Sequence, residues 1–281
     1  MRAIALEYHD VVRAGARDAS GFPGAAAGTY KVLLGDFEAH LRAIDSVVPS
    51  RAMVHDLVGR GAPEIPVLLT FDDGGSSAYT DIAGLLEASG WRGHFFVSTD
   101  YLGRPEFLTA EQLRSIRRRG HVIGSHSCSH PLRMARCSWA DLVREWAVSV
   151  AALEDILGEP ILVGSVPGGE LSAQVVEAAA QAGIRFLFTS EPVTRTSVVA
   201  GCTLLGRFTI RSTTPASVAA RLAAGRLAPR ARQYALWNAK SLLKRWTGPL
   251  YPRVRELILD RQPAKAADDA CRAGELRRGG R

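Results

Sequence analysis

The chain has 281 residues, 47% hydrophobic and 22% charged, which is enough apolar material for a full core and the charge content of an ordinary soluble protein. The formal net charge of +7 is unevenly placed: residues 1–220 hold 20 Lys/Arg against 23 Asp/Glu, and residues 221–281 hold 15 against 5, so the basic character belongs to the end of the chain. No apolar run approaches the roughly 18 residues of a membrane span. Glu7 and Asp10 interrupt the start before a signal-peptide core can form. Cys128, Cys137, Cys202 and Cys271 show no CxxC pair and no regular spacing, so reduced thiols in a cytoplasmic protein are expected.

In chain order, Ala3 to Val11 reads as a first strand ending near Tyr8, His9 and Asp10, followed by a Gly/Ala-rich loop from Ala14 to Gly28. Asp36 is the expected N-cap of a helix from Phe37 to about Val48, with Phe37, Leu41, Ile44 and Val48 on one face. Pro66 to Phe71 is a buried strand that ends in Asp72, Asp73, Gly74 and Gly75. A helix opened by Ser76 or Ser77 and ended by Gly90 follows, then a strand from His94 to Thr99. Thr109 and Gln112 form a capping box for a helix that Gly120 closes. Next come strand His121 to His126, helix Ser138 to Leu157, strand Ile161 to Val166 and helix Leu171 to Ala182. Strands Arg185 to Ser190 and Leu204 to Ile210 complete the set, with a helix that has Pro215 in its first turn. Strands alternating with helices imply βαβ units and a mostly parallel sheet or barrel.

Two constellations carry chemistry. Asp72 and Asp73 stand side by side where a strand gives way to a glycine turn, an arrangement in which one carboxylate can bind a cation while the other accepts a proton. His126 and His130, four apart just past another strand end and set among Ser127, Cys128 and Ser129, are spaced to bind one divalent metal. Both groups fall at C-terminal ends of expected parallel strands, the edge where such sheets build active sites. A His, His, Asp set leaves metal positions open. Cys128 is a further candidate ligand, though a buried inert thiol is the expected state, and His40, His55, His94 and His121 read as structural.

Thr70-Phe71-Asp72-Asp73-Gly74 followed by His126-Ser127-Cys128-Ser129-His130 resembles the first two signature motifs of the polysaccharide deacetylases, the nodulation-type carbohydrate esterases of family four. Tyr8-His9-Asp10-Val11 is similar to an N-terminal strand of many members, and the resemblance covers about Ala3 to Ala224. It implies a distorted (β/α) barrel of about seven parallel strands and hydrolytic removal of an acyl group from an amino sugar. The implied metal is zinc or a similar divalent ion, with cobalt, nickel and manganese as alternatives. Carried over residue by residue, Asp73, His126 and His130 hold the metal and Asp72 is the general base. The sequence departs from the family pattern twice. Ser165 stands where an Arg two residues before Pro167 would orient the base, and the last histidine of the chain is His130, so the late general-acid His is absent. His9 is the candidate proton donor in its place, with Asp72 returning its own proton as the alternative. Arg207 is placed at the substrate side or as a substitute orienter of Asp72. Gly168 and Gly169 are candidates for close backbone approach to the ligand, and Glu191 for substrate contact.

The expected organisation is a catalytic domain over 1–225, a basic amphipathic helical extension over 226–261 and a disordered tail over 262–281. In the extension, Trp237, Leu242, Leu243 and Trp246 alternate with Lys240, Lys244 and Arg245. Packing on its own barrel is the first reading; peripheral contact with an anionic membrane surface is the second. No reading motif accompanies the charge, so no nucleic acid partner is expected. The expected substrate is an N-acetylated amino sugar of glycan, exopolysaccharide or glycolipid biosynthesis. A deformylase or other C–N hydrolase of the same fold, and a sugar-binding pseudoenzyme, are the alternatives.

Overall fold

The structure, a computed structural model, describes residues 1–48, 50–57 and 64–247. The part of the expected helical extension beyond Thr247 and the disordered tail expected over 262–281 lie outside them. The chain divides into two compact units, Met1–Trp237 and Asn238–Arg281, and the sheet with its site belongs to the first. Among the described residues no helix is long and apolar enough to cross a membrane.

The elements run β1 (Ile4–Tyr8), β2 (Val11–Val12), α1 (Ala25–Gly28), β3 (Val32–Leu33), α2 (Leu34–Asp45), β4 (Val67–Phe71), α3 (Ala83–Ala88), β5 (Gly93–Val97), α4 (Ala110–Arg118), β6 (Val122–Ser125) and α5 (Trp139–Leu157). There follow β7 (Val163–Ser165), α6 (Ala173–Gln181), β8 (Phe186–Phe188), β9 (Ser197–Val199), β10 (Cys202–Leu205), β11 (Arg207–Thr209), α7 (Ala216–Ala223) and α8 (Leu227–Thr247). The main sheet has the order β11-β1-β4-β5-β6-β7-β8-β10-β9 and is parallel throughout except at β9. Its two flanks meet in the chain: β10 bonds β8, β11 bonds β1, and only Gly206 separates them. One kinked strand therefore closes a seven-stave barrel, with β9 as an outer antiparallel addition.

The kink corrects the sequence expectation of one continuous strand from Leu204 to Ile210. The segment after β8 wedges against the strand here. The Glu191 carbonyl and Val193 occupy the space a Cβ on residue 206 would need, and the Arg207 N–H turns to donate to that carbonyl at 2.9 Å. Only glycine admits so close a crossing. β9 has no counterpart in the sequence reading because all three of its residues are exposed and show no alternation.

Strand parity sorts the side chains into two cores. Ile4, Leu6 and Tyr8 of β1 and Val67, Leu69 and Phe71 of β4 face the surrounding helices, while Ala3, Ala5, Leu68, Phe96, Phe186, Phe188 and Leu205 fill the barrel. Val54 and Leu57 join that inner cluster from the segment before β4, and the Val54 N–H donates to His94 Nε2 at 3.0 Å.

Helix ends follow local chemistry. Thr109 and Gln112 close the expected capping box at α4, and the Ser138 hydroxyl accepts from the Asp141 N–H at the start of α5. α2 begins at Leu34, so Asp36 lies inside its first turn instead of capping it, where a carboxylate still favours the positive end of the helix. The helix expected after Ser77 opens with a π-helical turn, Ala78–Ile82. The first unit ends at Trp237, inside α8, beyond the expected domain end at 225.

Candidate active site

Parity and strand ends converge on one pocket. Asp72 and Asp73 follow β4, His126 follows β6, and His130 comes four residues later in a loop that α5 holds in place. Glu145 of α5 is buried; its Oε2 accepts the Cys128 and Ser129 N–H groups at 3.1 and 2.9 Å, and its Oε1 accepts the Ser129 hydroxyl at 2.7 Å. Burial pushes the Glu145 carboxyl up, and these donors outweigh it and hold the group below its ordinary range. The anchored loop carries Ser127 and His130 at φ of 61° and 58°, and Asp73 sits at 75°. Left-handed backbone at three non-glycine residues is strain that the surroundings impose at a functional site.

Asp73 Oδ1 is buried and has no hydrogen-bond partner. It faces His126 Nε2 at 3.5 Å and His130 Nε2 at 3.4 Å, and one ligand atom from each of the three residues lies within 4.8 Å of the others. Nδ1 of His126 is taken up by the Ser165 carbonyl at 2.9 Å, which fixes the ring and aims Nε2 inward. An orphaned carboxylate oxygen among imidazole nitrogens suits a divalent cation held by one oxygen and two nitrogens, so these residues fit the metal the resemblance implies. Burial raises the Asp73 carboxyl, but the two facing imidazoles hold it well below the usual carboxylate range.

Asp72 is wired differently. Arg207, fully buried, forks onto it with Nη1 to Oδ1 at 2.6 Å and Nη2 to Oδ2 at 2.8 Å, and Ser165 Oγ donates to Oδ2 at 3.2 Å. The remaining guanidinium donors reach Glu7 Oε1 at 2.9 Å, Ser165 Oγ at 2.8 Å, Thr70 Oγ1 at 3.3 Å and the Thr189 carbonyl at 3.2 Å, between the Phe96 and Phe188 rings. Burial pushes the Asp72 carboxyl up, and Arg207 more than offsets it, leaving Asp72 below its ordinary range. Arg207 therefore has no surface for substrate, and the substrate-side placement is corrected: it comes from β11 to the place that a guanidinium at position 165 would have served.

His9 lies just past β1, half-buried, with its ring stacked on Tyr30 at 4.7 Å between centroids. Its Nδ1 is buried without a hydrogen-bond partner, and one of its ring nitrogens lies within 4.8 Å of carboxylate oxygens of Asp72 and Glu7. Phe22 packs on the His130 ring at 4.8 Å from the same long loop. That loop is tied down: Lys31 Nζ donates to the Ser20 and Arg17 carbonyls, and the Ser20 and Ser77 hydroxyls donate to buried Asp10. Burial pushes Asp10 up, with Asp73 adding to the effect against the two hydroxyls.

Gly168 and Gly169 have a use within the fold itself. Both have positive φ, but a Cβ on Gly168 would meet the Leu132 carbonyl and one on Gly169 the Ser190 side chain, so the close approach is between protein segments. Glu191 contributes its carbonyl, which accepts from the Arg207 and Val193 N–H groups at the strand kink. Cys128 is buried with its thiol pushed up to about 12, by burial first and Glu145 next, and is no ligand of the metal set.

Glu7, Ser165 as a hydroxyl bridge, and the rings of Tyr30 and Phe22 are absent from the sequence reading. Glu7 had a signal: it is a lone carboxylate at an inward position of an otherwise apolar strand. Tyr30 and Phe22 had none, because their positions depend on how the loop folds back.

Comparison with known proteins gives the same picture. Residues 59–187 match the family model for polysaccharide deacetylase. A Bacillus subtilis (strain 168) protein named as a polysaccharide deacetylase, YxkH, is 26% identical over 162 residues, covering 56% of this chain and 58% of that one, so the match spans little over half of the relative's length. Among solved structures, the deacetylase PplD of Streptococcus pyogenes in complex with acetate superposes with a TM-score of 0.65 at 18% identity, covering 77% of this chain and 95% of that one. IcaB of Ammonifex degensii gives 0.65 at 21%, covering 79% and 97%. A de-N-acetylase from Aggregatibacter actinomycetemcomitans gives 0.64 at 19%, covering 76% and 97%. These likenesses establish the barrel fold. Residues 59–187, which carry Asp72, Asp73, His126 and His130, are the part of the chain that resembles the polysaccharide deacetylase family.

Proposed function

We propose that this protein is a metal-dependent hydrolase that removes an N-acetyl group from an amino sugar in the making of a glycan, exopolysaccharide or glycolipid. The observation that carries the reading is the pairing of two adjacent buried carboxylates with opposite wiring. Asp73 presents an unpartnered oxygen to two imidazoles, and Asp72 is clamped by a guanidinium with its charge maintained. The names of the similar proteins support the same chemistry.

Asp73, His126 and His130 would hold a divalent cation, zinc in the first instance, which when bound supplies a Lewis acid for a carbonyl and acidifies water. Asp72 accepts the proton of the attacking water; its Oδ2 lies 3.8 Å from His126 Nε2, on the border of the metal set. Arg207 and Ser165 hold both Asp72 oxygens in one orientation, which keeps the base in place between turnovers. His9, whose ring nitrogen lies within 4.8 Å of an Asp72 oxygen, hands a proton to the departing amine, and its stacking on Tyr30 fixes the ring for that transfer. Tyr30 and Phe22 border the mouth with partly exposed aromatic faces of the kind sugar rings lie against.

A sugar-binding pseudoenzyme drew on two losses, the orienting Arg and the late His. Arg207 on Asp72 removes the first of these arguments. The test is acetate release from a panel of N-acetylated sugars by zinc- or cobalt-loaded protein. We expect release that chelator abolishes and that Asp72→Asn lowers by roughly 10²- to 10⁴-fold with metal still bound. Metal-loaded protein that releases formate from N-formylated counterparts of these sugars but no acetate from the panel would establish the deformylase alternative, and no release of either would favour the binding role.

A further inference from the structure

The floor of the site holds more charge than its two neighbouring aspartates. Glu7, buried at 4% exposure, points into the barrel from β1. Its Oε1 accepts from Arg207 Nη2 and from the Ser190 hydroxyl, each at 2.9 Å, and its Oε2 accepts from the Thr209 hydroxyl. Glu7 is no member of the Asp73, His126 and His130 set.

Three buried carboxylates, Glu7, Asp72 and Asp73, lie around a single buried guanidinium that pairs with the first two; buried Asp10 is offset by buried Lys31, so the formal balance of the group is two negative charges. Uncompensated charge in a low-dielectric interior is costly, and imidazoles that ligate a metal are neutral and cancel none of it. One divalent cation does cancel it. With an uncharged residue at position 7 the balance would be one negative charge, and a divalent cation would leave the buried group positive.

We propose that Glu7 is a positioning residue that sets the charge of the metal site without touching the metal: by pairing with Arg207 it keeps the guanidinium from neutralising the carboxylates that face the cation. The proposal rests on reading Asp73, His126 and His130 as the metal holders. The same geometry answers a second use of this region. Glu7, His9 and Asp72 also bring ligand atoms within 4.8 Å of one another, but Arg207 already occupies both Asp72 oxygens and one Glu7 oxygen, so the cation of that cluster is the guanidinium.

The test is zinc affinity of the full-length protein, stripped and titrated against a chromophoric chelator, with thermal melting of the metal-free chain recorded beside it. Glu7→Gln is expected to weaken zinc binding by roughly tenfold or more although every ligand remains. Glu7→Asp keeps the charge and disturbs the hydrogen bonds; its affinity should stay within about threefold of the parent. The double variant Glu7→Gln with Arg207→Met restores two negative charges, so zinc affinity should return to within about threefold of the parent while turnover, which needs Arg207 on Asp72, stays lost. Equal weakening by Glu7→Asp and Glu7→Gln, or a folded double variant that binds zinc no better than Glu7→Gln, would assign Glu7 to packing and overturn the proposal. If Glu7→Gln does not fold, Glu7→Asp and the double variant are compared with the parent: zinc affinity within about threefold in both supports the proposal, and a loss of about tenfold or more in either overturns it. A parent protein that binds no divalent cation overturns the metal reading itself.

Discussion

Two pairs of histidines in this barrel show what separates a ligand from a core residue. His94 and His121 lie within the sheet region, and each has both ring nitrogens engaged. His94 Nε2 accepts from the Val54 N–H and Nδ1 meets the Leu69 carbonyl, each at 3.0 Å; His121 Nδ1 accepts from the Gly93 N–H at 2.9 Å and Nε2 meets Glu87 at 2.8 Å. These rings are closed junctions between neighbouring segments. At the C-terminal edge His126 has only Nδ1 satisfied, by the Ser165 carbonyl, and its Nε2 is left aimed at Asp73 alongside that of His130. The same residue type is structural where neighbouring groups engage both ring nitrogens and chemical where Nε2 is left facing an unpartnered carboxylate oxygen.

The sharpest way to break this contrast is to exchange the losses. His126→Ala should weaken divalent metal binding by more than roughly 100-fold and, because it frees only the Ser165 carbonyl, lower the melting of metal-free protein less than His94→Ala does. His94→Ala should do the reverse: it orphans the buried Val54 N–H and destabilises the fold by roughly 1–3 kcal/mol, with metal affinity preserved. Chelator competition and thermal melts of both variants decide the matter. A His94 variant that lost metal as His126→Ala does would erase the distinction.

The pH dependence of folding sharpens it further. Burial lowers His94 to about 4, below the ordinary value of 6.5, so the folded chain resists a proton that the unfolded chain accepts. Stability from this ring is complete above about pH 6.5 and is lost as pH falls toward 4, by an amount on the order of 3 kcal/mol. The folded Asp72 and Asp73 carboxyls lie below their ordinary range, so their contribution is lost only at lower pH. Urea unfolding of metal-free protein between pH 7 and pH 4.5 should show the decline, and His94→Gln should make it shallower, with the remainder coming from His40, His55 and His121, which burial also lowers. An unchanged slope in that variant would remove His94 as its source.

Sequence legibility followed the same division. Asp72, Asp73, His126 and His130 could be read because each group ends an apolar run, and strand ends in parallel sheets share an edge. The inward parity of Glu7 and Arg207 was also in the sequence, but their meeting was not. Ala5 pairs with Arg207 only because the barrel closes through a strand kinked at Gly206, and that register is set by tertiary packing around the Glu191 carbonyl. The glycines at 168 and 169 follow a related rule. A sequence shows that a close approach is permitted there, not that the approaching group is the Leu132 carbonyl or Ser190. Ser165 was read as the absence of an arginine, when its small side chain is what admits the guanidinium arriving from β11.

That last residue gives the smallest predicted effect and the finest cut between the two halves of the site. The Ser165 hydroxyl accepts from Arg207 Nη2 at 2.8 Å and donates to Asp72 Oδ2 at 3.2 Å, whereas its carbonyl holds His126 Nδ1. Ser165→Ala removes the hydroxyl and keeps the carbonyl, so it touches the base and spares the metal ligands. Loss of one such hydrogen bond costs about 1 kcal/mol, which predicts a kcat lowered roughly fivefold to tenfold with KM and zinc affinity unchanged. An unaltered kcat would mean that the Arg207 fork alone fixes Asp72. A fall in zinc affinity would mean that the end of β7 shifts when the hydroxyl is removed, and that base and metal ligands are one mechanical unit rather than two.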